Sequence, residues 1–215
     1  MTDQFFAQAA DAPSALPDPS GETVYLGFSH APLFSLGPGQ RIGVWFKGCP
    51  LGCPGCVSPE LRTALAEDRT EVSALAREIL ESARALGSSR VTVSGGEPFY
   101  QPEALEKLLR LLREGGIKDI LVYTGRKFHC LSKAYPWLFE LVSALVDGPF
   151  EESRPTDAIW KGSAGQKFYL VDSALKEDYQ PWLYGSERRV QVVPCAEGLR
   201  VLGIPKIGDY GGLFH

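Results

Sequence analysis

Long apolar runs are missing from this sequence. No stretch approaches the roughly 20 consecutive apolar residues that a membrane-crossing helix needs, and the opening MTDQFFAQAA has neither the basic end nor the apolar centre of a secretory leader. Blocks of like charge are missing too. The 22 Lys and Arg and 26 Asp and Glu are scattered and leave a net charge of -4, so composition favours neither nucleic acid nor an anionic membrane as a partner. Repeats and low-complexity arrays are absent, which removes the solenoid architectures. Cysteine is scarce: five residues, an odd number with three inside eight positions, suit metal binding in a reducing compartment better than a disulfide framework. The expected location is the cytoplasm.

What is present fits one domain. At 215 residues and 44% apolar composition the chain supports a single core. Residues 1–20 are rich in Ala, Pro, Asp and Ser without a sustained period, and are expected to form a poorly ordered tail. Residues 21–215 are expected to be the domain, with a core over about 37–171 and a C-terminal extension over 172–215.

Strand and helix patterns alternate. After the turn at Gly37-Pro38-Gly39, the run Arg41 to Phe46 is β-branched or aromatic at most positions and reads as a strand. From Val72 to Leu86 apolar residues recur at helical spacing, with Thr70 as the expected N-cap and Gly87 as the stop. Val91 to Val93 reads as a strand, and a helix opening near Pro102 carries Leu105, Leu108, Leu109 and Leu112 until Gly115-Gly116. Ile120 to Tyr123 is the next strand, a helix is expected over about 131–141, and Ala144 to Val146 is another strand. Lys167 to Val171 adds one more, and Val190 to Val193 with Leu199 to Leu202 predicts a hairpin around Glu197-Gly198.

This order implies an α/β fold with a mostly parallel sheet, either open or curled into a partial (β/α) TIM-like barrel, with a C-terminal β-hairpin. Chemistry in such folds collects at the C-terminal ends of the strands. Four polar or glycine-rich segments follow predicted strands here: the cysteine loop, Gly-Gly-Glu-Pro, Tyr123-Thr124-Gly125 and Asp147-Gly148.

The loop Gly48-Cys49-Pro50-Leu51-Gly52-Cys53-Pro54-Gly55-Cys56 has the spacing C-x3-C-x2-C. Thiolates select zinc, copper(I) or iron-sulfur clusters, and a structural zinc ordinarily takes a fourth protein ligand. No second cysteine pair supplies one, which leaves His30 or His129 for that alternative. Three cysteines can instead hold three irons of a cubane and leave the fourth iron open to a chelating small molecule. Cys130 and Cys195 stand alone and read as ordinary thiols.

The cysteine motif followed by Ser94-Gly95-Gly96-Glu97-Pro98 resembles the radical S-adenosylmethionine enzymes. From Gly37 to Gln166, the segments GPGQRIGVWFKGCPLGCPGC, SGGEP, VYTG, LVDGPFEE and WKGSAGQ are similar to the activating proteins of anaerobic ribonucleotide reductase. That resemblance implies a [4Fe-4S] cluster on Cys49, Cys53 and Cys56, with S-adenosyl-L-methionine chelating the fourth iron. It implies cofactor contacts at Gly95, Gly96, Glu97 and Pro98, at Tyr123, Thr124 and Gly125, and at Asp147 and Ser163. Gly55 departs from the aromatic residue that many radical enzymes carry before the third cysteine.

The function implied is reductive cleavage of S-adenosylmethionine to a 5'-deoxyadenosyl radical that installs a glycyl radical on a partner enzyme. A flavodoxin- or ferredoxin-type protein would supply the electron. Two alternatives stay open: a stand-alone radical enzyme acting on a peptide or small metabolite, and a zinc-stabilised interaction module.

Overall fold

A computed structural model of the chain describes residues 16–196 and 198–206. Most of the expected tail, 1–15, lies outside the described residues. Of the rest, Asp18 accepts hydrogen bonds from Ser20 and from the Thr23 backbone and hydroxyl, at 2.6–3.0 Å, and so ties this stretch to the first strand.

Nine strands and five α-helices are described. β1 (Thr23–Leu33), β2 (Arg41–Phe46) and β3 (Arg69–Glu71) are followed by α1 (Val72–Leu86), β4 (Arg90–Gly95), α2 (Pro102–Glu114) and β5 (Asp119–Tyr123). Then come α3 (Phe128–Ala134), α4 (Leu138–Leu141), β6 (Ala144–Asp147), β7 (Lys167–Leu170), α5 (Lys176–Leu183), β8 (Val190–Cys195) and β9 (Gly198–Gly203). Seven strands form one sheet in the order β3-β1-β2-β4-β5-β6-β7, and β8 pairs with β9. The ladders β2 to β4, β4 to β5 and β5 to β6 are parallel, while β1, β3 and β7 join antiparallel. The α/β class, the parallel centre and the terminal hairpin match expectation. Barrel closure is not shown: among the described residues no ladder joins β3 to β7.

Period-2 alternation assigns each central strand two buried faces. Ile42, Val44 and Phe46 of β2, Val91 and Val93 of β4, and Ile120 and Val122 of β5 pack against α1 and α2. Those helices answer with Leu75, Ile79, Leu105, Leu108, Leu109 and Leu112, all buried. Each such leucine stabilises the fold by about 1.5–3 kcal/mol. On the opposite face, Trp45 packs with Leu33, Leu36, Leu61 and Leu202, while Leu121, Ala144 and Val146 pack with Tyr179. The C-terminal extension therefore covers the second face of the sheet. Arg41 is wholly buried there, donating from Nη1 to Asp119 at 2.6 Å and from Nε to Thr92 at 2.6 Å, and the Tyr179 hydroxyl donates to Asp119 at 2.7 Å.

Three local differences have local causes. Thr70 is not the cap of α1, because β3 runs on through Glu71 and the helix starts only at Val72; Glu71 takes the cap position and the first helical N–H, of Val72, donates to the Glu22 carbonyl at 3.0 Å. The single helix expected over 131–141 is two, since Pro136 lacks an N–H and holds Tyr135 out of helical geometry. β1 and α5 escaped prediction: β1 is mostly half-buried and carries bulges, and α5 contains Pro181. Among the described residues no helix is long and apolar enough to cross a membrane.

Candidate cluster and cofactor site

β2 is buried along its whole length and delivers the chain directly into the cysteine loop. Gly48, Gly52 and Gly55 adopt positive φ of 89°, 60° and 66°, which side chains resist, and so turn the loop back on itself. Its entry is pinned by the Gly48 and Cys49 N–H groups donating to the Leu61 and Arg62 carbonyls, each at 2.9 Å. Its middle is held by the Arg62 guanidinium, which donates to the Cys53 carbonyl.

Cys49, Cys53 and Cys56 are half-buried free thiols. Burial is the main force pushing the Cys49 thiol up from 9.0 to about 11; the Leu51 backbone hydrogen bond opposes it, and the charges of Glu97 and the other two cysteines reinforce it. Burial also raises Cys53, against a Phe150 backbone hydrogen bond and the Arg62 charge. A cationic centre beside the loop would favour the thiolate forms of Cys49 and Cys53 against that burial. A structural zinc ordinarily takes four protein ligands, whereas a cubane takes one thiolate at each iron, and the three soft sulfur donors of this loop supply three of its four corners. The donor set thus fits a cluster. His30 lies on β1, in register with Gly43 of β2, and His129 sits 3.3 Å from the Cys130 sulfur on α3.

The Gly-Gly-Glu-Pro turn lies directly beneath this loop. Gly96 N–H donates to the Phe46 carbonyl at 2.8 Å and Glu97 N–H to the Gly48 carbonyl at 2.9 Å. A Cβ on Gly95 would stand 2.3 Å from Phe46 backbone atoms, and one on Gly96 would stand 2.5 Å from the Gly48 carbonyl oxygen. Two bare glycines are what let the segments touch.

Glu97 faces inward. Its carboxylate is fully buried and accepts from the Phe99 N–H at 3.0 Å, the Thr124 hydroxyl at 2.7 Å and the Gly125 N–H at 2.8 Å. Desolvation pushes its pKa up against those three donors. It thereby ties the second motif to Tyr123-Thr124-Gly125, and a Cβ on Gly125 would meet the Leu51 side chain of the cysteine loop at 2.3 Å. Tyr123 is half-buried, with its hydroxyl donating to the Trp160 carbonyl at 3.1 Å. Asp147 at the end of β6 accepts from the Phe128 N–H at 2.8 Å and the Lys167 N–H at 3.3 Å. The buried Ser163 hydroxyl accepts from the Glu151 N–H at 3.1 Å. Glycine segments and cysteines are brought together; Asp147 and Ser163 are occupied by backbone contacts of their own.

Sequence similarity bears on the same stretch. A family model described as "4Fe-4S single cluster domain" matches residues 35–169, more than half of the chain. The chain belongs to that family. The anaerobic ribonucleoside-triphosphate reductase-activating protein of Escherichia coli strain K12 is 31% identical over 137 residues, covering 60% of this chain and 88% of the relative. Its namesake in Enterobacteria phage T4 is 29% identical, covering 67% of this chain and 94% of the relative. The pyruvate formate-lyase-activating enzyme of Clostridium pasteurianum is 36% identical over 91 residues, 41% of this chain and 38% of that protein.

Within the 4Fe-4S single cluster domain lie all four strand-end segments, from the cysteine loop to Asp147-Gly148, together with Ser163, while α5 and the hairpin fall beyond it. The structure adds residues that motif reading passed over. Phe150 meets the Cys53 sulfur through its backbone, and the Glu152 carboxylate fills the space over Gly55, where a Cβ would stand 2.9 Å from it. Both sit in the segment LVDGPFEE already noted for its similarity. Arg62 had no sequence signal; only the fold brings it to the loop.

Proposed function

We propose that Cys49, Cys53 and Cys56 hold a [4Fe-4S] cluster, and that the protein cleaves S-adenosyl-L-methionine there to install a glycyl radical on a partner enzyme of the anaerobic ribonucleotide reductase kind. One observation carries the reading: three free thiols stand on a glycine-shaped loop at the C-terminal end of a central parallel strand, enough for three irons and one short of four. When bound, the cluster would supply one electron to the sulfonium, breaking its carbon-sulfur bond to release methionine and a 5'-deoxyadenosyl radical that takes a hydrogen atom from a partner glycine, leaving 5'-deoxyadenosine.

This chain's own residues orient and enclose. The backbone of Gly95 to Pro98 offers acceptors to the cofactor's ammonium group, and Tyr123, Thr124 and Gly125 form the neighbouring wall. Glu97, Asp147 and Ser163 have side-chain oxygens engaged by the protein. Their contribution is therefore to fix the backbone that meets the cofactor. The sheet is read as a partial barrel around this rim, with helices packed on one face and the extension on the other. A flavodoxin- or ferredoxin-type donor supplies the electron, and an oxygen-sensitive cluster places the protein in a reducing cytoplasm.

Mixing the reduced, reconstituted protein with S-adenosylmethionine and a cognate reductase is expected to give the doublet paramagnetic resonance signal of a glycyl radical. A reductase that stays silent with intact cluster and consumed cofactor contradicts the activase reading.

A further inference from the structure

Arg62 touches the cysteine loop twice, from outside the motif. Its carbonyl accepts the Cys49 N–H at 2.9 Å and its guanidinium donates to the Cys53 carbonyl, so one residue spans the entry and the middle of the loop. Its neighbour Leu61 is buried among Trp45, Leu33, Leu36 and Leu202, and its carbonyl accepts the Gly48 N–H at 2.9 Å. The 61–62 segment is thus anchored in the core on one side and carries the loop on the other. The Cys53 thiol is also met by the backbone of Phe150, as that of Cys49 is by the backbone of Leu51.

We infer that Arg62 is a positioning residue for the cysteine loop and sets the potential of the cluster bound there. This rests on the cluster reading above. Three thiolates give the cluster site net negative charge, and reduction adds another electron. A guanidinium fixed at the loop by its bond to the Cys53 carbonyl favours the more negative, reduced state. Outer contacts to ligand-bearing segments typically change metal affinity by about 10–100-fold. The two effects separate by substitution: Arg62→Lys keeps the charge, and Arg62→Gln keeps a hydrogen-bond donor without the charge.

The test is anaerobic reconstitution of the full chain and of its Arg62→Lys, Arg62→Gln and Arg62→Met variants, followed by a redox titration of the reduced-cluster resonance signal and by the rate of iron loss to a chelator. Arg62→Gln is expected to shift the midpoint to more negative potential while Arg62→Lys stays near the parent. Iron loss is expected to quicken by about 10-fold in Arg62→Met, which lacks both properties. Should Arg62→Met fail to fold, the Gln and Lys pair decides alone. Variants with full clusters and unchanged midpoints overturn this inference and leave the cluster reading standing. A parent protein that takes up no iron and sulfide overturns both.

Discussion

At the scale of single residues, burial and charge decide what each group does. Cys49 has its thiol pushed up from 9.0 to about 11, with burial as the largest cause. In iron-free protein the folded state holds that proton more tightly than the unfolded chain. The associated stability is complete below pH 9 and is lost as pH rises toward 11. Alkylation of Cys49 by iodoacetamide, followed by peptide mass spectrometry, should therefore titrate near 11; a midpoint at 9 or below contradicts this environment. Glu97 makes the contrasting case. Two donors meet its Oε1 and one meets Oε2, so Glu97→Gln necessarily turns an amide NH2 toward an N–H or hydroxyl donor. Loss of about 1–3 kcal/mol is expected, read by urea denaturation of the iron-free protein; an unchanged midpoint rules out the inward-facing carboxylate.

Among elements, close approach of backbone segments builds the site. Gly95 has φ of 114° and no room for a Cβ beside Phe46, whereas Gly87 at the end of α1 has φ of 62° and nothing within 4 Å. Gly87→Ala should cost about 1 kcal/mol, the strain of a left-handed cap alone. Gly95→Ala should cost about 3 kcal/mol or more and lower iron uptake, because β2 and the cysteine loop must shift to admit it. Equal losses in thermal melts of the two variants would contradict the packed-turn account. These elements also mark what was legible in advance. α1, α2 and the central strands carry uninterrupted period-3.6 or period-2 patterns, and local pattern specified them. β1 has bulges and mixed exposure, α5 carries Pro181, and Pro136 divides α3 from α4; there tertiary packing outweighed local preference. The cysteines and glycines were readable because their spacing is local, while Arg62 and the inward turn of Glu97 depend on segments meeting in space.

For the whole molecule, the decisive fact is that residues beyond 171 complete the core. Leu202 and Tyr179 cover Trp45, Leu121 and Val146 on the sheet face that α1 and α2 leave open, and Tyr179 also bonds Asp119, the partner of buried Arg41. A chain ending at residue 171 should therefore aggregate or melt at sharply lower temperature, even though it retains every motif of the 4Fe-4S single cluster domain. Full solubility and cooperative melting of that truncation would show the extension to be dispensable. The central claim is that three thiols on one loop hold a cluster with an open corner where S-adenosylmethionine is cleaved. Its most direct measurement is chromatographic assay of 5'-deoxyadenosine after the anaerobically reconstituted, chemically reduced protein is incubated with that cofactor. The account predicts its formation by the parent and none from Cys49→Ala, Cys53→Ala or Cys56→Ala; a parent with full iron and sulfide that releases no 5'-deoxyadenosine, or single cysteine variants that still do, would contradict it.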